Sequence, residues 1–306
     1  MQLYDAAATT KALPWRALLD AIELTLADLA AGRVQVPPRQ VHQVAADTAW
    51  FLMPAWLTAG AAGSTDLAVI KLITHATGNP LRGLPAILGD VLVMRASTGE
   101  RVALLDGPTV TARRTAAVSL YAARHLAPRP TGPLLVVGTG VQAMAHALAF
   151  AEALGVDEIW VRGRSDAAAL SFCQALHQQG LFAEPALNLA QALAHCPLVV
   201  TATSAQAVCL SGVVREDAFV AAIGAYTRTM IELDPALTRD IAAQGQIVVD
   251  TAAARQEAGD LVAAGIALAD VPTLADHPAR LDGGPVLFKS CGSALWDLAA
   301  ARCVVE

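Results

Sequence analysis

The feature that most constrains this chain is the stretch from Pro133 to Gly163, PLLVVGTGVQAMAHALAFAEALGVDEIWVRG. A short apolar run ends in Gly138-Thr139-Gly140-Val141-Gln142-Ala143, a helical stretch closed by Gly155 follows, and a second apolar run ends at Arg162. Apolar runs of four to six residues separated by helices, with no polar face of their own, predict parallel strands covered on both sides. The same rhythm continues through a helix from about Ala167 to Gln179 and the runs PLVVTAT, AFVAAIG and QIVVD. This half of the chain is expected to be a doubly wound α/β sheet of roughly 170 residues.

The texture before Gly107 is different. Residues 15–31 place Leu18, Leu19, Ile22, Leu26 and Leu29 on one stripe at helical spacing, and Gly32 stops the run. Short β-like runs then follow (WFLMPAW, DLAVIKLIT, AILGDVLVMRA, RVALLDG), parted by turn signals such as Thr77-Gly78-Asn79-Pro80 and Ser97-Thr98-Gly99-Glu100. Strands that follow one helix read as an α+β unit with antiparallel pairing. The tail, VLFKSCGSALWDLAAARCV, reads as a strand, a glycine-containing turn and a helix.

Composition removes several function classes. The 306 residues carry a formal net charge of −6 and only 5% aromatics, which argues against a broad nucleic-acid surface. The mean hydropathy of +0.48 comes largely from alanine. No stretch reaches the roughly 18 uncharged apolar residues of a spanning helix, so no membrane association is expected. The start, MQLYDAAATTKALPW, lacks a basic segment followed by an apolar one, so a secretory signal is not expected either. Cys173, Cys196, Cys209, Cys291 and Cys303 lie far apart with no CxxC pair, and no two of the seven histidines are three or four residues apart. No metal site is expected, and reduced thiols in a cytoplasmic protein are.

The loop at Gly138–Ala143 matches GxGxx(G/A) in a strand–loop–helix context. The first glycine allows the tight turn, and the second lets the backbone approach a pyrophosphate. The small third residue permits close packing, and the helix start receives the anion. The loop Gly138, Thr139, Gly140, Val141 and Gln142 is therefore expected to bind a dinucleotide. Where NAD sites commonly place an acid, this chain has Arg162-Gly163-Arg164-Ser165 and no acid until Asp166. Two guanidiniums and a hydroxyl suit a 2′-phosphate, so NADP(H) is expected, with NAD(H) left open. Three further basic residues sit in apolar or turn-bounded contexts: Arg39 in VPPRQVH, Lys71 in LAVIKLIT and Arg114 in TVTARRTAA. A lysine inside an apolar run is costly to bury unless it meets an anion or loses its proton. For each of the three, a surface position with its stem along apolar groups is the competing reading. Together they suggest a small carboxylate held by positive charges beside a nicotinamide.

With these segments assembled, the sequence resembles the ornithine cyclodeaminase/μ-crystallin family over nearly its whole length, and within it the 1-pyrroline-2-carboxylate/1-piperideine-2-carboxylate (ketimine) reductases. The matching segments are PPRxVH, VIKLITHATGNPLRGLP, ALLDGPTVTARRTAA, VVGTGVQA, VTATS, GAYTRTMIELD and FKSCGSALWDLAAA, in that order. The resemblance implies a Rossmann domain, taken as residues 113–288, inserted into an α+β substrate-binding and dimerisation domain, residues 1–112 and 289–306, with homodimers forming through the latter. It also implies that Arg39, Lys71 and Arg114, rather than Arg113, meet the substrate carboxylate. Arg164 and Ser165 then fall where NADPH users carry Arg and Ser/Thr, and Thr203, Ser204, Ser290 and Gly292 lie toward the nicotinamide. Cyclodeaminases of the family are expected to carry an Asp six residues before the Glu of a Glu-Leu pair. Here that count from Glu232 lands on Tyr226. The expected reaction is therefore reduction of a cyclic ketimine acid to L-proline or L-pipecolate, with Tyr226 walling the pocket. Cyclodeamination of ornithine, reductive amination of pyruvate, or a non-catalytic NADPH-linked small-acid binder are the alternatives.

Overall fold

The computed structural model describes residues 1–58, 66–204 and 207–305. The chain divides into two compact units, Met1–Thr115 with Ser293–Glu306, and Ala116–Gly292.

The first unit opens with strand β1 (Gln2–Tyr4), helices α1 (Ala6–Ala12) and α2 (Trp15–Ala30), and the short β2 (Val34–Gln35). Then come β3 (Gln40–Ala45), β4 (Thr48–Leu57), β5 (Leu67–Ala76), β6 (Ile87–Met94), β7 (Arg101–Asp106) and helix α3 (Gly107–Leu126), which belongs to this unit as far as Thr115 and to the second from Ala116 on. The sheet runs β1-β7-β6-β5-β4-β2, with β3 also paired to β4. Every pairing is antiparallel except β1 on β7. β1 is three residues long, too short to carry a periodic signal, and only its pairing with β7 makes it a strand. Alternation along β5 buries Val69, Lys71 and Ile73 on one face and leaves Ile70, Leu72 and Thr74 on the other. The C-terminal helix, Ala294–Val305, covers the face that Lys71 shares, and helix α2 packs against that helix and β2. The opposite face is a shallow apolar depression that includes Leu52, Ile70, Leu72, Leu88, Leu92 and Leu104.

The second unit contains β8 (Leu134–Val137), α4 (Val141–Leu154), β9 (Ile159–Arg162), α5 (Asp166–Gln178), β10 (Ala183–Pro185) and α6 (Leu189–His195). These are followed by β11 (Leu198–Thr201), β12 (Phe219–Ala222), α7 (Pro235–Gln244), β13 (Gln246–Val249), α8 (Ala254–Glu257), α9 (Gly259–Ala263) and β14 (Val286–Lys289). The C-terminal helix is α10. All seven strands are parallel, in the order β10-β9-β8-β11-β12-β14-β13. This is a doubly wound sheet whose order reverses between β8 and β11, the place where such folds bind ligands. β10 had no sequence signature, being three residues at the sheet edge with a proline among them. Strands β8, β11, β12 and β14 are buried throughout, which is why they read as unbroken apolar runs. Among the described residues no helix is long and apolar enough to cross a membrane.

Candidate active site

In the first unit, β5 turns Lys71 inward, where it has no exposed surface. Its Nζ donates to Asp297 Oδ1 at 3.0 Å and lies 2.9 Å from Oδ2, the carboxylate being projected from α10. Arg114, 5% exposed on α3, brings its Nε to 3.2 Å from the same Oδ1. The Lys71 ammonium is lowered from 10.5 to about 8, and burial is the largest cause. Asp297 pulls it back up, while Arg114 and Arg39 push it further down. Arg39 is half-buried just ahead of β3 and lies within electrostatic reach of Lys71. The three basic side chains named from sequence thus share one neighbourhood, and Asp297 stands among them. Sequence reading missed Asp297. Its signal was the one used for Lys71, a charge inside an apolar run, here ALWDLAAA.

In the second unit, β8 leads into the glycine loop. Gly138 has φ +124° and donates its amide to Arg162 O at 2.8 Å, and a Cβ there would lie 2.4 Å from Ala202 O. The loops after β8 and β11 therefore touch at the reversal of strand order. Gly140 caps α4 in an extended conformation without a side-chain hydrogen bond, and a Cβ on it would meet nothing within 4 Å. That bare, open Cα at the start of a 14-residue helix is the cradle a pyrophosphate needs, since the first amides of a helix lack intrahelical partners. Val141 is 72% exposed there, whereas Ala143 is fully buried and packs the helix down. Thr139 and Gln142 are half-buried in the same loop. One turn on, His146 places Nδ1 2.7 Å from Gln142 O and Nε2 2.9 Å from Ser119 Oγ. Burial pushes this imidazole down to about 4, so it is neutral at pH 7.

At the end of β9, Arg162 is half-buried, with Nη1 3.4 Å from Ala186 O, and Arg164 is exposed. Ser165 caps α5 by accepting from Ala168 N at 3.2 Å. No acid stands between Arg162 and Ser165. The residues present therefore fit a dinucleotide.

The loops after β11, β12 and β14 are tied by buried charges. Glu232, fully buried, accepts from Thr203 N and Thr203 Oγ1, both at 2.8 Å, through Oε1. Its Oε2 accepts from Thr201 Oγ1 at 3.1 Å, Gly224 N at 2.6 Å and Ala225 N at 3.1 Å. Asp260 Oδ1 accepts from the amides of Glu232 and Leu233, and its Oδ2 lies 2.8 Å from Lys289 Nζ. Burial acts to lower Lys289, but Asp260, Cys291 and Glu232 outweigh it and hold the ammonium above its ordinary value. Ser290 Oγ at 2.8 Å and Gly292 N at 3.1 Å both donate to Asp250. The hydroxyls of Thr203 and Ser290 are thus engaged within the unit, whereas Ser204 is exposed. Glu232 served the sequence reading only as a counting mark, and Asp250, Asp260 and Lys289 escaped it.

A model of the ornithine cyclodeaminase/mu-crystallin family matches residues 2–306. The chain belongs to this family. Delta(1)-pyrroline-2-carboxylate reductase 1 of Burkholderia multivorans is 38% identical over 305 residues, 98% of this chain and 94% of that protein. A Delta(1)-pyrroline-2-carboxylate/Delta(1)-piperideine-2-carboxylate reductase of Azospirillum brasilense is 39% identical with the same coverage. Among solved structures, Thermococcus litoralis Delta(1)-pyrroline-2-carboxylate reductase in complex with NADH and L-proline matches with a TM-score of 0.88. That match covers 99% of this chain and 96% of the other at 23% identity, a likeness of fold.

Within this ornithine cyclodeaminase/mu-crystallin member, Tyr226 occupies the loop between β12 and Glu232. It is partly buried and packs against the apolar core of the second unit. From Ile223 to Ile231 the loop carries no carboxylate. Its backbone is held at Ala225, whose amide donates to Glu232 and whose carbonyl accepts from Lys289 at 2.5 Å.

Proposed function

We propose that this chain reduces the C=N bond of a cyclic ketimine acid, 1-pyrroline-2-carboxylate and/or 1-piperideine-2-carboxylate, to L-proline or L-pipecolate. The observation that carries this reading is the buried cluster of Lys71 and Arg114 around Asp297, one net positive charge, in a chain that also has an open glycine loop at a helix start. Relatives sharing 38–39% identity over nearly the full length bear the reductase names. Arg39, Lys71 and Arg114 hold the substrate carboxylate, and Arg forks and an ammonium are the donors such a group requires. Gly138, Thr139, Gly140, Val141 and Gln142 hold the pyrophosphate. Arg162, Arg164 and Ser165 favour NADP(H) over NAD(H), and Thr203, Ser204, Ser290 and Gly292 lie toward the nicotinamide. The bound cofactor supplies the hydride, and the protein supplies orientation and charge.

The imine nitrogen takes a proton through its lone pair, the adjacent carbon accepts the hydride, and the C=N electron pair becomes the lone pair of the secondary amine. Lys71 is suited to hold that proton. An ammonium titrating near 8 releases a proton more readily than an ordinary lysine yet remains charged at neutral pH. With Tyr226 in place of an acid, the loop offers nothing to deprotonate the ammonium of ornithine, which favours imine reduction over cyclodeamination.

Two further assignments belong to the same reading. The uncovered apolar face of the first sheet supports a homodimer built on that unit. All five cysteines are free thiols, which supports a reducing, cytoplasmic setting. The deciding experiment mixes purified protein with NADPH and 1-pyrroline-2-carboxylate and follows loss of the reduced-nicotinamide absorbance together with appearance of proline. No oxidation would defeat the reading. Ammonia released from ornithine without net cofactor turnover would point to cyclodeamination, and ligand binding with neither reaction to a binding protein.

A further inference from the structure

Two cations side by side in a dry site are an unstable arrangement. Each loses several kcal/mol of hydration, and the two repel. Around Lys71 that problem is met by one carboxylate. Asp297 lies 3.0 and 2.9 Å from Lys71 Nζ, and its Oδ1 lies within ion-pair distance of the Arg114 guanidinium, 3.2 Å from Nε. Its neighbours on α10, Trp296 and Leu298, have no exposed surface, and neither has Asp297 itself. The charged groups acting on Lys71 come from three directions: Arg39 ahead of β3, Arg114 on α3 and Asp297 on α10. Of these only Asp297 favours the ammonium. Burial, Arg114 and Arg39 all favour the neutral amine.

We propose that Asp297 is a positioning residue for imine reduction: it keeps Lys71 an ammonium in a dry site and pairs electrostatically with the Arg114 guanidinium. Lys71, Arg114 and Asp297 then carry one net positive charge between them, to which Arg39 adds a second for the substrate carboxylate. The proposal rests on the reductase reading above, and it gives the C-terminal helix a part in the reaction that no glycine loop or basic motif announces.

The composition offers a direct test, because the chain has only three lysines, Lys11, Lys71 and Lys289. Protein labelled with carbon-13 at lysine Cε gives three signals that can be followed against pH by NMR, with Lys71 assigned by its loss in Lys71→Met. In Asp297→Asn the Lys71 midpoint is expected to fall by about 1–3 pH units, with Lys289 unmoved. The alkaline limb of kcat/KM should move by the same amount. Asp297→Glu, which keeps the charge, should hold the midpoint within about one unit of the parent and recover most of kcat/KM. An unmoved Lys71 midpoint in Asp297→Asn overturns the proposal. So does a shifted midpoint with an unmoved kinetic limb, since Asp297 then acts on Lys71 but not on the reaction. Should Asp297→Asn not fold, Asp297→Glu carries the test, and a midpoint displaced by more than about one unit overturns the proposal. Failure of the parent protein to reduce any cyclic imine is a separate result, visible before any variant is made, and counts against the reductase reading instead.

Discussion

Lys71 and Asp297 are separated by 226 positions in the chain, yet their charged groups lie 2.9 Å apart with no exposed surface on either side chain. The pair joins the middle strand of the first sheet to the last helix, so loss of either partner is expected to lower stability. Breaking a buried pair costs about 3–5 kcal/mol because the survivor is left desolvated.

Replacing Lys71 by Ala should lower kcat/KM by the equivalent of about 2–5 kcal/mol, the usual range for a buried charge that meets a ligand carboxylate. Steady-state kinetics with 1-pyrroline-2-carboxylate measure it directly. Unchanged kinetics would remove Lys71 from the substrate site.

Arg164→Ala should weaken NADPH binding by about 1.5–3 kcal/mol while leaving NADH nearly unaffected, because only the former carries a 2′-phosphate for a charge-assisted hydrogen bond. Titration of both cofactors by fluorescence separates the cases. Equal losses would exclude a 2′-phosphate role for this residue.

The neutral, buried His146 makes stability depend on acid. Its folded value of about 4 lies below the unfolded value of 6.5, so between those pH values the unfolded chain binds more protons. The stability His146 contributes is complete above pH 6.5 and is lost as pH falls toward 4, amounting to about 3 kcal/mol. Urea unfolding of the parent and of His146→Asn at pH 7 and at about pH 4.5 should show the variant losing less on acidification. Parallel losses would contradict the assignment.

Leu72, 43% exposed on the apolar face of the first sheet opposite Lys71, tests the proposed dimer. Leu72→Lys should shift sedimentation from dimer to monomer while leaving the fold intact, because a desolvated ammonium is not tolerated at an apolar contact. A variant that stays dimeric would place the interface elsewhere.

Much of this molecule was legible from residues alone, and for local reasons. Gly138 and Gly140 were readable because backbone conformation and close approach are properties of a few adjacent residues. Strands β8, β11, β12 and β14 were readable because burial on both faces leaves an unbroken apolar run. Lys71 was readable because a charge in such a run contradicts its surroundings. Less was legible where pairing decides. β1 and β10, three residues each, are strands only because β7 and β9 supply their hydrogen bonds. Nor could the sequence announce that β14, the last strand in the chain, enters between β12 and β13.

By itself, then, the sequence determined the periodicities, the glycine loop and the list of charges that cannot lie comfortably in an apolar run, since each depends on neighbours within a few residues. Only the tertiary structure decided what each buried charge meets: Asp297 with Lys71 and Arg114, Asp260 with Lys289, and Glu232 with the amides of Gly224 and Ala225. A buried charge selects its partner by distance in space, and the chain path that brings α10 back to β5 is written in no single segment.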